Sequence, residues 1–163
     1  MTTAAPYVFR QLAPADLPLL KDLLRVFGEA FGDVATYQHS VPSDGHLAGL
    51  LGKPHVIAVV AMRGDEVVGG LAAYELDKLE QDRREIYIYD LAVAEAHRRR
   101  GVATGLIGAL RTIASQRDAY VMFVQADLED APAIALYESL GKKETSHHFD
   151  IAVPRRGAAK RER

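Results

Sequence analysis

The sequence predicts a single α/β domain built on a mixed β-sheet, and three observations carry that expectation. His55 to Met62 and Val67 to Leu76 are two apolar, β-branched runs joined by the polar turn Arg63 to Glu66, which is a hairpin pattern. Arg84 to Val93, Val102 to Gln116 and Ala119 to Ala126 then read strand, helix, strand, which implies a crossover connection. At 163 residues, the chain is long enough for one domain with a proper core.

The elements follow in order. Tyr7 to Leu12 forms a short first strand, and Pro14 suits the start of a helix. Leu17, Leu20, Leu24, Phe27 and Phe31 recur at spacings of three and four, giving one apolar face. Gly28 weakens this helix slightly and Gly32 ends it. Asp33 to Val41 reads as a loop, and Ser43 or Asp44 caps a short helix through Leu51. The hairpin comes next, then the central strand Arg84 to Val93. The helix from Val102 to Gln116 carries Val102, Leu106, Leu110 and Ile113 on one side. The strand "AYVMFVQA" follows, then a helix from Ala131 to Leu140 stopped by Gly141, and a last strand from Lys142 to Val153. No repeat, low-complexity segment or linker precedes Pro154. The domain is therefore expected over residues 1–153, with a basic tail over 154–163.

Composition removes several classes of function. There is no cysteine, so disulfides, thiolate metal sites and a cysteine acyl-enzyme are excluded. No apolar run approaches the ~20 residues of a membrane helix. "MTTAAPYVFRQL" lacks the layout of a signal peptide, so the cytoplasm is the default expectation. The net charge of -2 is uneven. The tail "PRRGAAKRER" carries about +4, leaving about -6 on the rest. A basic footprint for nucleic acid is absent outside that tail. An acidic body attracts a polycationic small molecule. His147 and His148 are neighbours on an expected strand and so point to opposite faces, and His39, His46, His55 and His97 have no ligand spacing. No metal is expected.

"HRRRGVATGL", residues 97 to 106, places three arginines at the start of a helix, against the helix dipole. Helix N-termini present unpaired N–H groups that bind phosphate oxygens. Gly101 lets the backbone approach a ligand, Ala103 keeps the next turn narrow, and Thr104 adds a hydroxyl. Arg98, Arg99 and Arg100 supply charge. The stretch reads as a pyrophosphate cradle. It is neither a P-loop nor a dinucleotide fingerprint, since G-K-[ST] and G-x-G-x-x-G are both missing.

Asp90 interrupts the apolar strand "IYIYDLAV", and a charge there needs a reason. Three roles are open: general base, carboxylate tied to the backbone or to an arginine, or ligand of a substrate ammonium whose proton goes to water. Asp127, Glu129 and Asp130 follow the "AYVMFVQA" strand, at the edge where α/β sheets bind ligands. With Glu85, close to Asp90, and Asp150, on the last strand, they are acids suited to a polyamine.

"HRRRGVATGL" and "DAPAIALYESLG" together resemble the acetyl-CoA-binding signature of the GNAT acetyltransferase superfamily. In that family an R/Q-x-x-G-x-G/A segment grips the pyrophosphate, and Arg98, Arg99, Arg100, Gly101, Val102 and Ala103 fit it. A later helix carries N-x-x-A-x-x-L-Y-x-x-x-G-F. Asp130, Ala133, Leu136, Tyr137 and Gly141 stand in those places, with Asp130 for the Asn and Lys142 for the final aromatic. The runs "FGDVATYQH", "EIYIYDLAVAEAHRRRG" and "YVMFVQADLEDAPAIALY" resemble the type I aminoglycoside 3-N-acetyltransferases, from about Leu19 to Ile151.

The resemblance implies a GNAT-like, mostly antiparallel central sheet flanked by helices, with a β-α-β-α acetyl-CoA-binding core. It implies acetyl transfer from acetyl-CoA, in a ternary complex, to the 3-amino group of a gentamicin-like antibiotic, conferring resistance. Leu91, Ala92 and Val93 would offer backbone groups to the pantetheine arm, and residues 98–104 and Asp130 would bind the rest of the cofactor. Tyr137 would lie by the sulfur and act as acid, with Asp90 as base. Asp33 and Tyr37 would border the acceptor site. GNAT proteins are often dimers, and the last strand is a candidate exchange element. Two alternatives stand beside this reading: acetylation of a peptide, lysine or small polyamine, and a non-catalytic acyl-CoA-binding module.

Overall fold

The computed structural model describes residues 6–154, which fall into two compact units, one ending at Asp127 and one beginning at Leu128. The first unit is a five-stranded sheet in the order β1 (Tyr7–Gln11), β2 (Val56–Arg63), β3 (Glu66–Asp77), β4 (Arg84–Val93) and β5 (Ala119–Val124). Neighbouring strands run antiparallel except β4 and β5, which are parallel across the helix α3 (Val102–Gln116). The expected mixed, mostly antiparallel sheet is therefore present. Gly64, at a φ of 60°, makes the β2–β3 turn.

Helices cover both faces. α1 (Leu17–Phe31) buries Leu23, Val26 and Phe27, and α2 (Asp44–Leu51) buries Leu47 and Leu51. Leu23, Val26, Phe27 and Leu51 form one core with Ala58, Val60, Val67 and Ala92. Alternate strand residues, among them Val59, Leu71, Ala73, Ile86 and Ile88, are buried on the opposite face, where α3 buries Val102, Leu106 and Leu110. Ser43 caps α2 by accepting from His46 N–H at 3.3 Å, and Gly32 ends α1 in the left-handed region at φ 68°, both as expected. Pro14 does not open α1. Asp16 Oδ2 accepts from Ala13 N–H at 2.8 Å and Asp16 also pairs with Arg10, holding that stretch as a turn, so the helix begins at Leu17 with Pro18 in its first turn.

The stretch expected as a loop contains a π-helical turn, Ala35–His39. Gly28 permits it, because a Cβ at that position would sit 3.1 Å from Tyr37 Cβ. The second unit holds α4 (Ala131–Leu140), capped by Asp130 Oδ1 accepting from Ala133 N–H at 3.1 Å. The last strand expected from Lys142 to Val153 is not formed. Residues 142–154 carry no regular secondary structure, and Phe149, Ile151 and Val153 are exposed. Alternating hydrophobicity supplies a strand's side-chain pattern, but a strand also needs a ladder partner, and this segment has none among the described residues. Asp150, expected on that strand, lies in this irregular segment and meets His148 Nε2 at 3.1 Å. The basic tail falls outside the described residues beyond Pro154.

Candidate active site

β4 carries an irregularity that shapes the site. Asp90 stands opposite Ala72 of β3 and Ile88 opposite Ala73, so Tyr89 has no partner and forms a β-bulge. On a regular strand Tyr87 and Asp90, three apart, would face opposite ways. The extra residue puts both on the α1 face, while Ile86 and Ile88 stay buried on the other. Tyrosines surround Asp90. Tyr37 Oη donates to Asp90 Oδ1 at 3.4 Å, and burial, with a smaller share from the Asp90 charge, raises Tyr74 and Tyr87. The Tyr89 ring packs edge-on against both Tyr74 and Tyr87, at centroid distances of 5.9 and 5.6 Å, and is 63% exposed.

The electrostatics follow from burial. Partial desolvation raises the Asp90 carboxyl above its ordinary value, and the Tyr37 hydrogen bond offsets only part of that. Burial, followed by the Asp90 charge, pushes Tyr37 up to about 12, so its hydroxyl keeps its proton. Asp33 Oδ1 accepts from Thr36 N–H at 3.1 Å, which fixes the turn carrying Tyr37, and the Thr36 side chain together with that N–H lowers the Asp33 carboxyl. The group at this end of β4 is thus a proton-seeking carboxylate beneath an aromatic, ammonium-compatible wall.

β5 pairs with β4 only as far as Ile88, opposite Val124. Beyond it, β4 runs on through Leu91, Ala92 and Val93, paired with β3 on one edge only. The open edge offers main-chain groups to an extended, amide-bearing chain. A 3-10 turn, Glu95–His97, leads on to the arginines. Arg98 turns back, its Nε donating to Val93 O at 3.0 Å, whereas Arg99 and Arg100 are exposed. Arg99 and Gly101 both lie in the left-handed region, at φ 60° and 78°. No side chain caps α3, so the first N–H groups of the helix, from Val102, Ala103 and Thr104, point out without one. This arrangement fits an anionic phosphate group. A cleft of about 120 Å³ lies beside it, lined by Val26, Glu29 and Ala30 of α1 and by Ala94, Glu95 and Arg98.

The other sequence candidates have different surroundings. Glu85, at the far end of β4, pairs with Lys78 at 3.5 Å and accepts from Tyr120 Oη, so its charge is already engaged. Asp127 is exposed at the end of the first unit. In the second unit Glu129 is exposed, Asp130 caps α4, and burial followed by the Asp130 charge raises Tyr137. Among the described residues, no group of three or more His, Asp or Glu is placed to hold a metal. Sequence reading passed over Tyr74, Tyr87 and Tyr89 as strand-forming aromatics. For Tyr87 and Tyr89 the signal was their alternation in "IYIYD", directly before the one acid of the strand's interior, whereas Tyr74 lies on the preceding strand. Sequence reading weighed His97 only as a metal ligand, whereas the structure makes it a buried polar residue of the first unit.

Residues 20–142 match the family described as Acetyltransferase (GNAT) family. An aminoglycoside acetyltransferase from an uncultured soil metagenomic sample is 53% identical, with a TM-score of 0.90 over 91% of this chain and 99% of that one. A second, solved in complex with sisomicin, is 31% identical, with a TM-score of 0.84 over 91% and 97%. N-acetyltransferase family 8 member 2 of Rattus norvegicus is 30% identical over 98 residues, and the chain spans 42% of that relative's length, less than half.

Proposed function

Because this chain belongs to the GNAT acetyltransferase family, we propose that it moves an acetyl group from acetyl-CoA to the 3-amino group of a gentamicin-like aminoglycoside. The observation that carries this reading is its 53% identity, over nearly all of both chains, with an aminoglycoside acetyltransferase. The Asp90 site supplies workable chemistry. An aminoglycoside presents several ammonium groups on sugar rings, and a carboxylate among tyrosine faces suits such a ligand.

The step balances as follows. Asp90 takes a proton from the acceptor ammonium. The freed amine attacks the thioester carbonyl, a C–N bond forms, the C–S bond breaks, the departing sulfur takes the proton of Tyr137, and the second proton of the attacking nitrogen returns Tyr137 to its neutral form. Asp90 suits its part because burial has raised its basicity. Tyr137 holds its proton at neutral pH because burial opposes the phenolate. Arg99, Arg100, Gly101 and the first N–H groups of α3 take the pyrophosphate, and the open edge from Leu91 to Val93 takes the pantetheine arm. Asp33 acts by ordering Tyr37, and the cytoplasm, where acetyl-CoA is made available, is the compartment of this reading. The chain has no cysteine to carry an acetyl group, so transfer is direct.

A second reading keeps the donor and changes the acceptor to a peptide, lysine or small polyamine. It is favoured by the same Asp90 geometry, which recognises an ammonium rather than a particular sugar. Two-dimensional NMR of the product of gentamicin acetylation tests the first reading. An acetamide on the 3-amino nitrogen is expected, and an acetyl group at any other position contradicts it.

A further inference from the structure

We propose that β1 is the platform that positions the pyrophosphate cradle, and that the Tyr7–His97 pair is its main contact. The inference rests on reading residues 98–104 as that cradle. The cradle segment has little to hold its own shape. Arg99 and Arg100 are exposed, and Arg99 and Gly101 occupy left-handed backbone, a region that is costly for Arg99. Its geometry must be set at its two ends.

Both ends rest on the same strand. Before the arginines, the His97 side chain is buried, with only 9% of the residue exposed. Its Nδ1 lies 3.0 Å from Tyr7 Oη, and the two rings meet edge to face at 5.8 Å. After the arginines, Gly105 in the first turn of α3 lies against Phe9, so closely that a Cβ there would come within 2.6 Å of Phe9 Cε2. Tyr7 and Phe9 are two apart on β1 and so project from one face. A rigid strand spaces the two ends of the loop, and the α3 N–H groups are held ready rather than ordered by the ligand. His97 is thus a positioning residue. It acts on the donor through Arg98 to Thr104 without touching the acetyl group.

The test compares two donors. Acetyl-CoA carries the pyrophosphate, and S-acetylpantetheine lacks it. Tyr7→Phe removes one oxygen and keeps the ring. With gentamicin as acceptor, KM for acetyl-CoA is expected to rise by about fivefold, the factor one ordinary hydrogen bond is worth. The kcat and the kcat/KM for S-acetylpantetheine should not change. His97→Phe should act in the same way, and Tyr7→Phe should weaken CoA binding in calorimetry by a similar factor whatever the acceptor. Equal losses with both donors, or no loss with either, would overturn the proposal by making the pair a general packing contact or an idle one. A wild-type protein that used both donors equally well would instead defeat the cradle reading beneath it.

Discussion

Asp90, the base of the proposed reaction, is one carboxylate under two opposed demands. Burial raises its pKa, which makes it a better base and also makes its ionised form costly to the fold. Above the raised folded value the group is ionised in both folded and unfolded chains, so the folded state carries the penalty. As pH falls through the raised folded value, the folded chain takes up a proton first and the penalty fades. Asp90→Asn should therefore raise the melting temperature at neutral pH, with a gain that shrinks on acidification, while the acetylation rate drops by roughly 10²–10⁴-fold. Thermal melts across pH and initial rates check the two halves, and a variant less stable at neutral pH would contradict the first. Tyr37→Phe has the opposite logic. The Tyr37 hydrogen bond lowers the Asp90 pKa, so its loss should move the acidic limb of the rate profile to higher pH. An unmoved limb would mean that Asp90 is not the group being titrated.

At the scale of elements, close approach matters as much as pattern. Gly70 lies in β3 beneath α1, and a Cβ there would come within 2.7 Å of Val59 O and closer still to Leu23. Gly70→Ala should cost about 1–3 kcal/mol in urea unfolding, since both neighbours are buried and cannot yield freely. No cost would mean that α1 sits farther from the sheet. The hairpin, the central strands and the apolar helix faces were legible because period-two and period-3.6 patterns report burial directly. The bulge at Tyr89 was not, because "IYIYDLAV" reads as a regular strand until its register against β3 is known. The expected last strand did not form, because the alternation of Phe149, Ile151 and Val153 says nothing of a partner. Asp90 was legible as a charge in an apolar run. Its tyrosine surroundings were not, since Tyr37 is far from it in sequence and Tyr74 reaches it only through strand pairing.

For the molecule as a whole, the motifs that resemble the family lie in short stretches, while net charge is a property of the whole surface. The arginine and tyrosine stretches are where the sequence resembles GNAT proteins, and in the proposed reaction they serve the donor. The excess of acid outside the tail suits a polycation of any skeleton, so charge alone does not separate an aminoglycoside from spermidine or a basic peptide. Acceptor identity is the central claim, and one assay reads it directly. Purified protein is given acetyl-CoA with gentamicin, spermidine or a lysine-rich peptide in parallel, and free thiol is followed. Saturable release with gentamicin, at a kcat/KM well above that of the other two, is the expected result. Release with spermidine or the peptide and none with gentamicin would contradict the account, leaving the family membership intact and moving the acceptor to another class.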